Sequence, residues 1–269
     1  MSSESGTHAS PPQDFLNEVS NFALRACKPL YWHDCRVPFP KEMRGGSCFV
    51  LRFGQRLVGS LSLMCWRPMT ETARAIWRRC VWPFALHDTV IDCDPDLDIA
   101  TFGISEQELT EIEGLPIDCT GQWPPPAPTR MRVVSLVGFP EILRVTNADR
   151  SAIFSAYGGL SAIEDFSDRD ILLTFDPARD RALNGLPLPR LGLNMSGCSG
   201  GLVLVHGERN GLHRWFLAGL IIGGSNRDSK DERGDAEAFD TIRVRRIRAR
   251  GRDDQSSDVW LASVGVPQT

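Results

Sequence analysis

No run of about 18 apolar residues occurs in the chain, so no membrane-spanning helix is expected. It has no C-x-x-C pair, and its five histidines form no cluster, so no metal site is expected and no cofactor is implied. Neither charge sign dominates. Thirty Lys and Arg against 34 Asp and Glu leave a net charge of −4, which gives no basic field for nucleic acid. The start, Met1 to Gln13, lacks the charged-then-apolar pattern of a secretory leader. A cytoplasmic location follows as the expectation, with free thiols in a reducing compartment.

Composition is that of a folded protein with a sizeable core: 269 residues, 42% hydrophobic and 24% charged. The eight cysteines are scattered. Cys48 and Cys65 bracket one predicted hairpin, where free thiols are favoured over a bridge. Apolar residues Phe15, Val19, Phe22, Ala23 and Ala26 recur at helical spacing and predict an amphipathic helix over 14–27. From Gly45 the pattern changes. Residues 47–53 and 56–61 flank Gly54-Gln55 and predict a β-hairpin. Short β-branched runs follow at 89–93, 98–103, 132–137, 153–157, 170–175, 201–206 and 215–222, with an acidic helical turn at 105–113. Residues 72–79 fit a helix or a strand equally. The alternating arginines from Arg243 to Arg252 read as a strand or short helix with a solvated face, against a phosphate-binding stripe.

Trp123-Pro124-Pro125-Pro126-Ala127-Pro128 stops both helix and sheet and marks a linker. Strands on both sides of it predict an all-β protein with two barrel halves and an N-terminal helix. The expected organisation is a tail (1–12), a helix and lead-in (13–38), a first barrel (39–121), the linker (122–129), a second barrel (130–250) and a C-terminal tail (251–269).

The most informative segment is Gly197-Cys198-Ser199-Gly200-Gly201, a G-x-S-G-G loop entering the apolar run 202–205. Small residues on both sides let the chain bend tightly, and two backbone N–H groups then point at one oxyanion. Three further segments precede or follow it in order: Gly45-Gly46-Ser47-Cys48-Phe49-Val50, Asp96-Leu97-Asp98-Ile99-Ala100 and Val134-Ser135-Leu136-Val137-Gly138-Phe139-Pro140. Leu217 to Gly223 closes the set. Together they resemble the trypsin-like (chymotrypsin-fold) serine proteases, of the non-secreted bacterial type, over residues 40–250. The resemblance implies two antiparallel six-stranded barrels, with Ser199 as nucleophile, Asp98 as the carboxylate that orients a histidine, and the Gly197 N–H in an oxyanion pocket. It also implies Leu193 at the pocket floor, with Ile222, Gly223 and Gly224 lining the substrate cleft. An apolar floor would suit apolar or small side chains and would not select basic ones.

One position departs from the family. Its hairpin strand ends in T-A-A-H; here the segment is Leu61-Ser62-Leu63-Met64-Cys65, so Met64 stands at the histidine position. A thioether takes no proton from a hydroxyl near neutral pH. Loss of a triad base costs on the order of 10⁴–10⁶ in kcat. His87 is the one substitute placed in the first half near the cleft; His33 precedes it, and His206 and His213 flank a hairpin after Ser199. Cys198 replaces the Asp or Asn common before the serine, so activation by terminal processing is not expected; a Cys198 nucleophile would face away from the cleft.

The expected function is a catalytically degenerate serine-protease homologue that binds peptide or protein, with no nucleic-acid or membrane partner. The alternatives are an active endopeptidase with a displaced histidine and a partner-activated effector.

Overall fold

In the computed structural model the described residues are 11–32, 44–63, 65, 89–120, 127–147, 152–174, 195–209, 211–225 and 241–247. Helix α1 spans Gln13–Ala26 and buries Leu16, Val19, Ser20, Ala23 and Ala26, a stripe at three- and four-residue spacing. Asp14 in its first turn and Arg25 in its last complement the helix dipole. At Cys27 the backbone becomes extended, and the chain runs directly into β1 (Cys27–Trp32), a strand absent from the sequence expectation. Pro29 is tolerated there because β1 is an edge strand.

β1 pairs antiparallel with β2 (Arg44–Phe53), which turns at Gly54 (φ +59°) into β3 (Arg56–Ser62), as the hairpin pattern predicted. With β4 (Val90–Asp94), β5 (Ile99–Gly103) and the short β6 (Ile117–Asp118) they form a six-stranded sheet ordered β1-β2-β3-β5-β4, with β6 on β2. Among the described residues its two edges do not meet. Helix α2 (Glu106–Glu111) carries a capping box, Ser105 with Glu108.

After a two-stranded pair, β8 (Val145–Thr146) with β9 (Ala152–Ile153), the second half closes. Strands β7 (Val133–Gly138), β10 (Tyr157–Phe166), β11 (Asp170–Thr174), β12 (Leu202–Arg209), β13 (Leu212–Ser225) and β14 (Thr241–Arg246) form a closed barrel in the order β10-β11-β14-β13-β12-β7. The described residues are thus mostly β, with one N-terminal helix and one closed six-stranded barrel. The expected strand at 153–157 divides, its first part in β9 and the rest opening the ten-residue β10. The arginine run begins as β14, but its face is not wholly solvated. Arg245 is buried, with Nε 2.7 Å from Asp170 Oδ1 and Nη1 donating to the Asp96 carbonyl at 2.8 Å.

Alternation explains why β2 is apolar on both faces. Cys48 and Val50 enter the core of the first sheet with Leu61 and Phe102. Phe49 and Leu51 enter a second core with Val19 and Ala23 of α1 and Val137, Leu202 and Leu220 of the barrel. That shared core holds the end of β7, the start of β12 and the middle of β2 together, which is where the Ser199 loop lies.

Candidate functional site

The loop that begins at Met195 and enters β12 takes its shape from two glycines with left-handed backbones, Gly197 (φ +95°) and Gly200 (φ +85°). Close approach demands glycine as well. A Cβ on Gly200 would lie 1.9 Å from the Ser47 carbonyl oxygen, and one on Gly197 2.6 Å from that of Phe139.

Struts from both halves fix the loop. The Ser47 N–H donates to the Ser199 carbonyl at 2.8 Å. The Ser47 hydroxyl donates to the Gly197 carbonyl and accepts from the Phe139 N–H, both at 2.9 Å. Glu141 adds another tie: its N–H donates to the Ser196 carbonyl at 2.7 Å, while its carboxylate accepts from the Gly45 N–H at 2.7 Å. The Gly200 N–H donates to Ile221 of β13. With its carbonyl held by Ser47, the Gly197 peptide is turned into the protein. The Gly197 and Ser199 N–H groups have no acceptor among the described residues. Buried N–H groups left without an acceptor are rare in folded proteins.

Asp98 closes a four-residue turn before β5 and itself has φ +55°, a conformation Asp tolerates better than most side chains. The barrel pins this turn from the far side, since Arg245 and Arg169 both donate to the Asp96 carbonyl. Asp98 Oδ2 accepts from the Ser62 hydroxyl at 2.9 Å, and its carbonyl accepts from the Leu63 N–H at 3.1 Å. Two residues on, the Cys65 thiol donates to the Ser199 carbonyl at 3.6 Å. Leu63 and Cys65 therefore tie the end of β3 to Asp98 on one side and to the Ser199 loop on the other.

Burial pushes the Cys65 thiol up to about 12, with the charges of Asp98 and Glu141 adding to it. The thiol stays protonated and is no base at neutral pH. Burial likewise raises Cys198 well above the ordinary thiol range. Its side chain packs against Gly138, where an added Cβ would meet it at 2.9 Å. Cys48 and Cys65 are both free and buried.

Beside Ser199 opens a cavity of about 420 Å³. Ile222, Gly223 and Gly224 line it. Met195, Ile221 and Ile242 supply further apolar wall, and Ser196, Cys198 and Ser199 form its loop side. Arg243 also lines it and was not anticipated at this cavity, having been read as part of a strand or short helix with a solvated face, against a phosphate-binding stripe. Met64, Leu193, His33 and His87 lie outside the described residues. His206 and His213 stand elsewhere, under α1: the Phe15 ring lies 5.6 Å from that of His206 and 5.3 Å from that of His213. His206 Nε2 is 2.9 Å from the Ser135 hydroxyl, and desolvation lowers its pKa to about 4. Among the described residues no group hydrogen-bonds to the Ser199 hydroxyl.

No protein-family model and no curated protein sequence matches the chain. Solved structures resemble it loosely. A thermostable serine protease, AL20, from an extremophilic microorganism has 9% identity and a TM-score of 0.41, covering 84% of this chain and 92% of its own. Protease Anisep from Arthrobacter nicotinovorans has 11% identity and a TM-score of 0.40, covering 89% and 96%. A scabies mite inactivated protease paralogue, S-I1, has 12% identity and a TM-score of 0.40, covering 83% and 90%. Likenesses this loose say nothing of chemistry, which rests on the geometry of the Ser199 loop.

The sequence missed Ser47, Glu141, Ser62 and Arg243. Ser47 lies inside a quoted motif, but only its pairing across 150 residues reveals its role.

Proposed function

We propose that this chain is a trypsin-like serine-protease homologue without a working base, which binds peptide or protein segments in the cavity beside Ser199 and does not cleave them efficiently. In this reading the first sheet belongs to a second barrel, with the units divided at the Pro-rich segment 122–129. Ser199 stands at the nucleophile position and Asp98 at that of the orienting carboxylate. The Gly197 and Ser199 N–H groups receive a peptide carbonyl, and Ile222, Gly223 and Gly224 flank the bound chain. Leu193 is assigned to the pocket floor by sequence alone.

The observation that carries the reading is the pair of unclaimed N–H groups beside an apolar cavity, in a loop whose serine hydroxyl has no basic partner among the described residues. Binding needs only the first two features, whereas acyl transfer also needs a base to take the hydroxyl proton. At position 64, between the residues tied to Asp98 and to Ser199, the sequence supplies a thioether. Nothing in that side chain accepts a proton at neutral pH.

A fluorophosphonate probe tests this directly, because labelling requires a base-activated hydroxyl. Wild-type protein should label only marginally. Met64→His should raise labelling, and Met64→His combined with Ser199→Ala should abolish it. Strong labelling of the wild type, lost on His87→Ala, would establish an active enzyme with a displaced base.

A further inference from the structure

Among the described residues, Arg243 is the one charged residue lining the cavity beside Ser199. Apart from it the walls are apolar, with two serines at the loop. The guanidinium makes no hydrogen bond or ion pair among the described residues. Arg245, two residues on, is by contrast fully engaged with Asp170 and Asp96. The register places Arg243 opposite Gly223 on β13, and space is open where a Gly223 side chain would stand, with no atom within 4 Å of an added Cβ. The strand neighbour thus leaves room on the cavity side of the arginine.

We infer that Arg243 makes this cavity selective for an acidic side chain, glutamate above all, with its methylene stem against Ile222 and Ile242 and its carboxylate on the guanidinium. This rests on the peptide-binding reading and names the class of peptide. The chemistry is that of a short apolar stem ending in a fork acceptor. An unpartnered guanidinium offers two parallel N–H donors to a carboxylate, a geometry no neutral amide reproduces. To the apolar or small occupant expected from the sequence it adds a carboxylate, because the apolar walls hold a cation with no partner among the described residues.

The test measures binding of full-length protein to fluorescein-labelled acetylated pentapeptide amides, identical except for Glu, Gln, Leu or Lys at the central position. Arg243 is solvent-exposed, so its variants should fold. Wild-type protein should bind the Glu peptide about tenfold tighter than the Gln peptide, a value discounted for partial exposure of the pair. The preference should shrink as salt rises. Arg243→Gln should erase the Glu-over-Gln preference, and Arg243→Glu should favour Lys. An acetylated apolar peptide with a free C-terminus, run beside its amide, distinguishes a terminal carboxylate from a side-chain one. Tighter binding of the free acid, lost in Arg243→Gln, with no preference for internal Glu, would overturn the side-chain assignment.

Equal binding of the Glu and Gln peptides, or a preference that survives Arg243→Gln, refutes the inference while peptide binding stands. Absence of binding to every peptide refutes both. If the protein proves hydrolytic, the Glu-to-Gln ratio of kcat/KM reads the same selectivity and decides the inference separately from the inactive reading.

Discussion

Replacing Ser47 by alanine removes one oxygen and orphans two backbone groups. The Gly197 carbonyl loses its donor and the Phe139 N–H loses its acceptor, both at 2.9 Å and inside the protein. Ser47 is fully buried, and the space vacated by a hydroxyl oxygen is too small to admit a water. Each buried group left without a partner costs about 1–3 kcal/mol, so the pair predicts a loss of about 4 kcal/mol. In a protein of this size that lowers Tm by about 10 °C. Ser60 on the facing strand β3 is the control. It is equally buried, but its hydroxyl has no partner among the described residues. Ser60→Ala should be neutral within about 0.5 kcal/mol or stabilising. Urea titration of the three proteins at one pH gives the comparison, and equal slopes would show that only stability changed. If Ser47→Ala cost no more than Ser60→Ala, the strut account of the Ser199 loop would be wrong. Because the Gly197 carbonyl would also lose its anchor in the loop, peptide affinity should fall in Ser47→Ala and stay unchanged in Ser60→Ala.

Two other outcomes follow from backbone and charge. Gly200→Ala should cost more than about 3 kcal/mol, because strain at φ +85° adds to a 1.9 Å clash with backbone, whereas Gly211→Ala, at φ +74° in open space, should cost only about 1–2 kcal/mol, read as Tm differences. His206, lowered from 6.5 to about 4 by burial, binds its proton more readily in the unfolded chain, so its contribution is present above pH 6.5 and lost as pH falls toward 4. The loss should total about 3 kcal/mol in urea unfolding between those pH values, and His206→Gln should flatten that segment of the profile.

What was legible in the sequence was what depends on neighbours along the chain. The Gly54 hairpin, the amphipathic stripe of α1 and the tight glycine-framed loop at Ser199 are local, and their patterns declare them. β1 was hidden because its strand character comes from pairing with β2 across an edge that tolerates Pro29. Arg245 was read as solvated because its partner Asp170 lies 75 residues away. Ser47 and Glu141 look like ordinary hairpin and turn residues, and their hydrogen bonds to the Ser199 loop exist only once the two halves meet. Closure of the barrel was expected from strand count, but which strands are neighbours follows from register alone.

In the Ser199 loop, shape and reactivity are carried by different atoms. The bonds described for the loop go through its backbone groups, to Ser47, Glu141, Cys65 or Ile221, while the Ser199 hydroxyl supports nothing among the described residues. A chain built this way can part with its chemistry without loosening its architecture. Exchanging the hydroxyl of residue 199 would remove none of the bonds described for the loop.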